Sequence, residues 1–332
     1  ALHHAANRGH EEAVGALVEG DADLDKADPD DGVTPLMLAA RMGHSGVVRR
    51  LLELGADHTA VGTSGQFEGK TAVVTAGGGA ICGEIATGLA REGARVAIWD
   101  LNADAGKAKA DQIVADQGDA AAFACDATDE DSVGKALEDT IKAFSSVDLL
   151  VNGAGGGDKN TTTTPDLEFF DIAPAAIRRA MDLNHITTII PSQAVGRVFA
   201  ENKAGAIVNI TSIAGGLPLS RALGYSNGKA AADSFTRWLA VHMATTYAPE
   251  IRVNAIAPGF MVTEQNRFLL EDAETGNLTP RGESVLQNVP MSRFGRPEEI
   301  VGAALWLLSD NATFVTGSIV AVDGGFSAFC GV

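Results

Sequence analysis

The chain has 332 residues, 45% of them hydrophobic, with 38 glycines and a formal net charge of −18. Such a length holds one large or two moderate domains with well-buried cores. The acidic balance excludes a nucleic-acid partner, which needs a basic face, and reads instead as a solvated surface. No apolar stretch approaches the ~18 residues that span a bilayer, so no membrane is expected. Cys82, Cys125 and Cys330 have no C-x-x-C spacing, and the histidines form no cluster. A reducing, cytoplasmic compartment and no metal follow as expectations. The first residue is Ala1 rather than methionine, which leaves room for an upstream segment.

In chain order, the first element is a repeat. Ala1–His10 aligns with Pro35–His44 at an offset of 34, and Ala22-Asp23 aligns with Ala56-Asp57. The T-P-L…A-A…G-H pattern at that period resembles the ankyrin repeat, a helix pair turned at Gly-His. His10 and His44 are read as turn-stabilising residues. Residues 1–62 thus form about two partial copies, a small all-α segment, fewer than the three or so that a solenoid needs. Further copies upstream, or support from the larger domain, are expected. Thr63-Ser64-Gly65-Gln66 reads as a linker, and residues 67–332 as a single catalytic domain.

From there strand and helix patterns alternate. Thr71–Thr75, Arg95–Trp99, Ala120–Ala124, Val147–Val151, Ala206–Ile210 and Ile251–Ile256 are strand-like. Ile81–Arg91, Ala222–Thr245 and Pro297–Leu308 are helical. This alternation predicts an α/β fold, a parallel sheet with helices on both faces and ligands beyond the carboxyl ends of the strands.

The first predicted strand runs into Thr75-Ala76-Gly77-Gly78-Gly79-Ala80-Ile81-Cys82-Gly83 and then a helix. Glycines let a backbone approach a pyrophosphate, and the helix N-terminus attracts its charge. Asp100 ends the second strand and can accept both ribose hydroxyls while repelling a 2′-phosphate, which favours NAD over NADP. Asp126 follows the third strand, where it could meet the adenine edge or cap a helix. Cys82 falls in the first turn of its helix. It is read chiefly as a packing residue, with a facing pyrophosphate as the sharper alternative.

Tyr225 and Lys229 form Y-x-x-x-K, and Ser212 lies thirteen residues before Tyr225. Residues four apart share a helix face. The ammonium would lower the phenol's pKa, and Ser212 would hydrogen-bond the oxygen that Tyr225 protonates. Such a trio suits proton transfer at a carbonyl or alcohol oxygen while hydride moves at carbon.

With Asn152-Gly153-Ala154-Gly155, Asn184, Pro258-Gly259 and Thr263 added, residues 67–332 resemble a short-chain dehydrogenase/reductase. The resemblance implies a Rossmann-type doubly wound sheet and a catalytic set of Asn184, Ser212, Tyr225 and Lys229. Asn184 would hold a proton-relaying water, and Lys229 would also bind the ribose. It further implies cofactor contacts from Thr75, Gly77, Gly79, Ala80, Ile81, Asn152, Ala154, Gly155, Pro258, Gly259 and Thr263, and a homo-oligomer, dimer or tetramer. The family turn T-G-x-x-x-G-x-G is altered here, with Ala76, Ala80 and Cys82 at its glycine positions. A methyl at Ala76 is expected to require φ < 0. The glycine run before a cysteine, together with Thr263-Glu264-Gln265-Asn266-Arg267, resembles one branch, the fructuronate reductases (D-mannonate oxidoreductases).

The predicted substrate loops are polar. Arg221, Gln265, Asn266 and Arg267 suit a polyhydroxylated carboxylate, with Arg267 the first candidate for the carboxylate and Arg221 the second. An NAD-dependent reductase of a keto sugar acid is the leading expectation. A gluconate or other polyol dehydrogenase is the runner-up. A silent NAD-binding scaffold, with the ankyrin segment holding a protein partner, is the non-enzymatic alternative.

Overall fold

The computed structural model describes residues 1–28, 33–42, 44–56, 65–217, 219–263, 267–272 and 275–331, without the side chains of Arg41 and Phe268. Two compact units make up the chain. One comprises Ala1–Glu68 with Arg91–Gly93, the other Gly69–Ala90 with Ala94–Val332.

The first unit holds α1 (Leu2–Arg8), α2 (Glu11–Glu19), α3 (Pro35–Arg41) and α4 (Ser45–Glu53). Leu2, Ala6, Val14, Leu36, Ala39, Val47 and Leu51 are its core. The Thr34 hydroxyl caps α3 by accepting from the Met37 N–H, with Pro35 at the first helical position, the usual pairing of cap and proline. His44 ties the two copies together, its Nε2 lying 3.0 Å from the Asn7 carbonyl. Gly9 takes φ +74°, and a Cβ there would meet the His44 ring at 2.8 Å. His44 is thus a turn-stabilising residue, as its place in the repeat predicts. No side-chain cap bond comes from His10.

The second unit alternates β1 (Thr71–Thr75), α5 (Ala80–Arg91), β2 (Arg95–Asp100), α6 (Ala103–Ala115), β3 (Asp119–Ala124), α7 (Glu130–Phe144) and β4 (Leu149–Asn152). There follow α8 (Pro174–Met181), a π turn (Asp182–Ile186), α9 (Thr187–Asn202), β5 (Gly205–Ile210), α10 (Ile213–Gly216), α11 (Leu223–Thr246) and β6 (Ile251–Pro258). Last come α12 (Arg267–Leu270), α13 (Pro280–Leu286), α14 (Val301–Leu308) and β7 (Ile319–Val322). The strands form one seven-stranded sheet in the order β3-β2-β1-β4-β5-β6-β7, and every pair is parallel. A parallel sheet is covered on both faces, so its strands read as continuous apolar runs. All five residues of β1 and all eight of β6 are buried.

Alternate side chains divide between the two faces. Val73, Ala97, Trp99, Leu150, Ile207 and Val253 pack with Val133 of α7, Phe199 of α9 and Leu239 of α11. On the opposite face Gly106 of α6 lies against Ile98, and Gly88 of α5 against Val301 and Leu305 of α14. Among the described residues no helix is long and apolar enough to cross a membrane.

Arg252 closes α14. It is 6% exposed and donates to the carbonyls of Leu307, Leu308 and Ser309, groups that a helix end leaves without partners. Arg252→Leu strands these buried carbonyls. It should cost about 3 kcal/mol and lower the melting midpoint by roughly 5–10 °C. An unchanged thermal melt would show that solvent takes over the arginine's role.

Candidate active site

The order reversal in the sheet lies between β1 and β4, and the crevice beyond their carboxyl ends is the ligand position of such a fold. β1 leads directly into the glycine-rich turn. Ala76 there has φ +52°, so the expectation of a negative φ is corrected. A methyl in the left-handed region costs about 1–2 kcal/mol. Packing explains the placement. A Cβ on Gly77 would meet Ile98 at 2.9 Å and the Val74 carbonyl at 3.0 Å, and one on Gly78 would meet the Ala105–Gly106 backbone at 2.7 Å. The glycines are taken up by close approach, and the left-handed residue is the one that precedes them.

Asp100 at the end of β2 clasps this turn. Its Oδ2 accepts from the Gly78 N–H at 2.9 Å and its Oδ1 from the Asn102 N–H at 2.8 Å. Beyond β4, a Cβ on Gly156 or Gly157 would meet nothing within 4 Å. A glycine turn opening α5, a carboxylate at the tip of β2 and unobstructed backbone after β4 fit a dinucleotide.

Several residues assigned to the cofactor from sequence hold the cleft's frame. Thr75 is 1% exposed, and its hydroxyl accepts from the N–H groups of Gly153 (2.9 Å) and Ala154 (3.3 Å). Asn152 donates to Ser192 and to Asn209, each at 2.9 Å, binding β4 to α9 and β5. Asp126 accepts from the Thr128 N–H and hydroxyl, a local turn. A Cβ on Gly259 would meet Asp323 at 2.6 Å, which explains a glycine directly after Pro258. Thr263 is partly buried.

Ser212, Tyr225, Lys229 and Asn184 do converge. Ser212 caps α10 just past β5, its Oγ accepting from the Ala214 N–H. Tyr225 and Lys229 lie on one face of α11, the Lys229 Nζ 5.9 Å from the centre of the phenol ring. That Nζ donates to the Ile210 carbonyl at 2.8 Å. Asn184 sits in the π turn between α8 and α9. Its amide donates to the Gly156 and Ala180 carbonyls, and its Oδ1 accepts from the Gly156 N–H. Gly155 touches both groups, since a Cβ there would lie 2.8 Å from the Asn184 Oδ1 and 3.2 Å from the Lys229 Nζ.

Burial sets the electrostatics. It pushes the Tyr225 phenol above its ordinary value, and the Ser212 hydroxyl partly offsets this. The expected lowering by Lys229 is corrected: burial raises the phenol, and the opposing group is Ser212. Burial also pulls Lys229 down to about 8, opposed by Cys82 and Asp233. A protonated phenol at neutral pH is a competent acid for a carbonyl oxygen.

Cys82 is 4% exposed, and burial pushes its thiol up to about 12. Its sulfur fills the space beneath Gly153. It therefore packs α5 against β4, and the alternative of a reactive thiol facing a pyrophosphate is corrected. Iodoacetamide should label exposed Cys330 and spare Cys82 equally with and without NADH. Labelling of Cys82 that NADH slows would reverse this.

Arg267 is bound locally, donating to the Glu271 carboxylate at 2.6 Å within α12. Gln265 and Asn266 lie outside the described residues. Arg221 lies two residues before α11 with φ +75°, and its carbonyl accepts from the Thr163 N–H at 3.0 Å. The sequence did not single out Arg281. Its guanidinium in α13 is pushed down by burial and then by the like charge of Arg221. Neither Arg221 nor Arg281 is ion-paired among the described residues.

Comparison with known proteins agrees with this architecture. Residues 76–327 match the enoyl-(acyl carrier protein) reductase family, and residues 1–61 match ankyrin repeats. An uncharacterized oxidoreductase of Bacillus subtilis, UxuB, is 40% identical over 273 residues, which cover 80% of this chain and 97% of that one. The 7alpha-hydroxysteroid dehydrogenase of Escherichia coli is 36% identical over 78% of this chain and 95% of its own. A solved structure of a candidate D-mannonate oxidoreductase from Haemophilus influenza, with NAD bound, superposes with a TM-score of 0.76. It is 36% identical, over 81% of this chain and 99% of that chain. With its parallel sheet, glycine turn and Ser-Tyr-Lys cluster, the chain belongs to the short-chain dehydrogenase/reductase family of oxidoreductases and carries ankyrin repeats at its N-terminal end.

Proposed function

We propose that this oxidoreductase reduces a keto sugar acid with NADH, interconverting D-fructuronate and D-mannonate. The observation that carries the reading is the pair Arg221 and Arg281, two guanidinium groups near the start of the Tyr225 helix that no carboxylate of the described chain neutralises. A substrate carboxylate relieves their repulsion and takes a charge-assisted, bidentate contact. The structural relative with bound NAD, named for mannonate, supports the same choice. Arg267, held by Glu271, ranks behind both arginines.

In this proposal residues 67–332 form the catalytic domain, joined by residues 63–66 to an ankyrin segment, 1–62, that offers a surface to a protein partner. The setting is a cytoplasmic homo-oligomer. The bound dinucleotide supplies the hydride. Ser212 orients the substrate carbonyl by hydrogen-bonding its oxygen, and Tyr225 gives that oxygen a proton as hydride reaches the carbon. Lys229 steadies the charge left on Tyr225, and Asn184 holds a water that returns the proton. Asp100, already engaged with the glycine turn, disfavours a 2′-phosphate, so NADH should serve better than NADPH.

Initial rates with NADH over keto-uronates, keto-gluconates and neutral ketoses test the reading. Keto-uronates should give the highest kcat/KM. Arg221→Met and Arg281→Met should each lower that value by roughly one to two orders of magnitude, while a neutral ketose changes by less than about threefold. Equal losses on both substrates would make the arginines loop-ordering residues. A preference for keto-gluconates would favour the gluconate alternative, and equal use of NADPH would remove the role given to Asp100.

A further inference from the structure

One turn beyond Lys229 on α11 lies Asp233, on the same helix face. It is 7% exposed. The small residue Gly215 of α10 makes room for it, because a Cβ there would lie 2.6 Å from the Asp233 Oδ2 and 3.0 Å from the Lys229 carbonyl. The Asp233 Oδ1 is buried with no hydrogen-bond partner among the described residues. The Thr211 side chain, adjacent to Ser212, favours the ionised form of the carboxyl. A carboxyl so enclosed is costly unless it answers a charge.

The charges in reach are the Arg237 guanidinium and, one turn back on α11, the Lys229 ammonium. Facing that ammonium are Cys82 from α5, the Ile210 carbonyl from β5, Asn184 across Gly155, and Tyr225 and Asp233 from α11 itself. Asn184 and the carbonyl are uncharged, and the Cys82 thiol, up at about 12, stays neutral. Asp233 is the remaining source of negative charge. Facing Asp233 in turn are Thr211, Arg237 and Lys229, which oppose the upward push of burial. A buried lysine without a counter-charge gives up its proton.

We infer that Asp233 is a positioning residue for the Tyr225–Lys229 pair, its enclosed carboxylate supplying the counter-charge that keeps Lys229 an ammonium inside the cleft. The inference rests on the proposed role of Lys229 in holding the dinucleotide and serving Tyr225. It concerns a residue that touches neither substrate nor cofactor.

The test is the pH dependence of NADH affinity, read by fluorescence titration without any sugar acid, in wild type, Lys229→Met and the isosteric Asp233→Asn. Wild-type affinity should fall as pH rises through the Lys229 pKa. In Asp233→Asn the fall should begin at lower pH, so that the two proteins are alike near pH 6 and differ by about tenfold near pH 9 for a one-unit displacement. The alkaline limb of kcat/KM should move with it. Lys229→Met should show no such fall. Should Asp233→Asn fail to fold, Asp233→Ser removes the same charge and carries the same expectation. A pH-independent loss of affinity, or an unmoved profile, would make Asp233 purely structural and overturn the inference. If Lys229→Met retained the wild-type profile, the role of Lys229 itself would be wrong, whichever sugar acid the enzyme takes.

Discussion

Tyr225→Phe is expected to reduce kcat by about two to four orders of magnitude, the range typical of a lost general acid. The change deletes one oxygen from a side chain held on α11 beside Ser212 and Lys229. The ring, the packing and the Lys229 bond to the Ile210 carbonyl remain, so NADH affinity should stay within about threefold of wild type. Steady-state rates and a fluorescence titration of NADH measure the two quantities separately. The raised phenol pKa sets the direction of the pH profile. Reduction needs the protonated phenol, so the reductive rate should hold through neutral pH and decline on the alkaline side. A variant that kept more than about a tenth of wild-type kcat would show that the proton comes from elsewhere.

Lys229→Met should remove most turnover and also weaken NADH binding, since the proposal gives the ammonium both roles. It has a second consequence, visible without substrate. The folded-state pKa of Lys229 is lowered from 10.5 to about 8. Below pH 8 folded and unfolded chains both carry the proton, and the folded state bears the full cost of the buried charge. Between the two values the unfolded chain binds more protons, so stability rises with pH. Measured by denaturant unfolding of the cofactor-free protein, wild type should gain on Lys229→Met by about 2 kcal/mol from pH 7 to pH 10. Titration of Cys82 and Tyr225 enters both proteins and cancels in the comparison. Parallel curves would mean that Lys229 is better solvated than its burial indicates.

Local features of this chain were legible in its sequence. The limits of β1 match the apolar run Thr71–Thr75 because a strand covered on both faces must be apolar throughout. Asp100 ends β2, and the four-residue spacing placed Tyr225 and Lys229 together. The strand over Ile319–Val322 was not singled out, its short run being only half buried at the sheet edge. Pro297–Leu308 begins as a 3-10 turn before α14, a distinction that the apolar period does not carry. Long-range features stayed hidden. The π turn that aims Asn184 depends on how α8 and α9 dock. The left-handed Ala76 follows from crowding of Gly77 and Gly78 by β2 and α6, which no motif spacing reveals. Arg281 stands sixty residues from Arg221 in sequence. Its relevance appears only once the loops are folded together. The Arg267–Glu271 pair shows the opposite error, for its i,i+4 spacing was in plain view and a local carboxylate outcompetes a distant ligand. The lowered pKa of Lys229 is a property of burial, and the sequence supplies the lysine without its surroundings.

The decisive experiment is oxidation of NADH by D-fructuronate, followed with unlabelled cofactor and with cofactor deuterated at the transferring carbon. Turnover should be saturable, with D-mannonate as product, one NADH consumed per product formed, and a slower rate with the deuterated cofactor under single-turnover conditions. Tight NADH binding without oxidation by D-fructuronate or any other keto sugar acid would refute a keto sugar acid as the substrate.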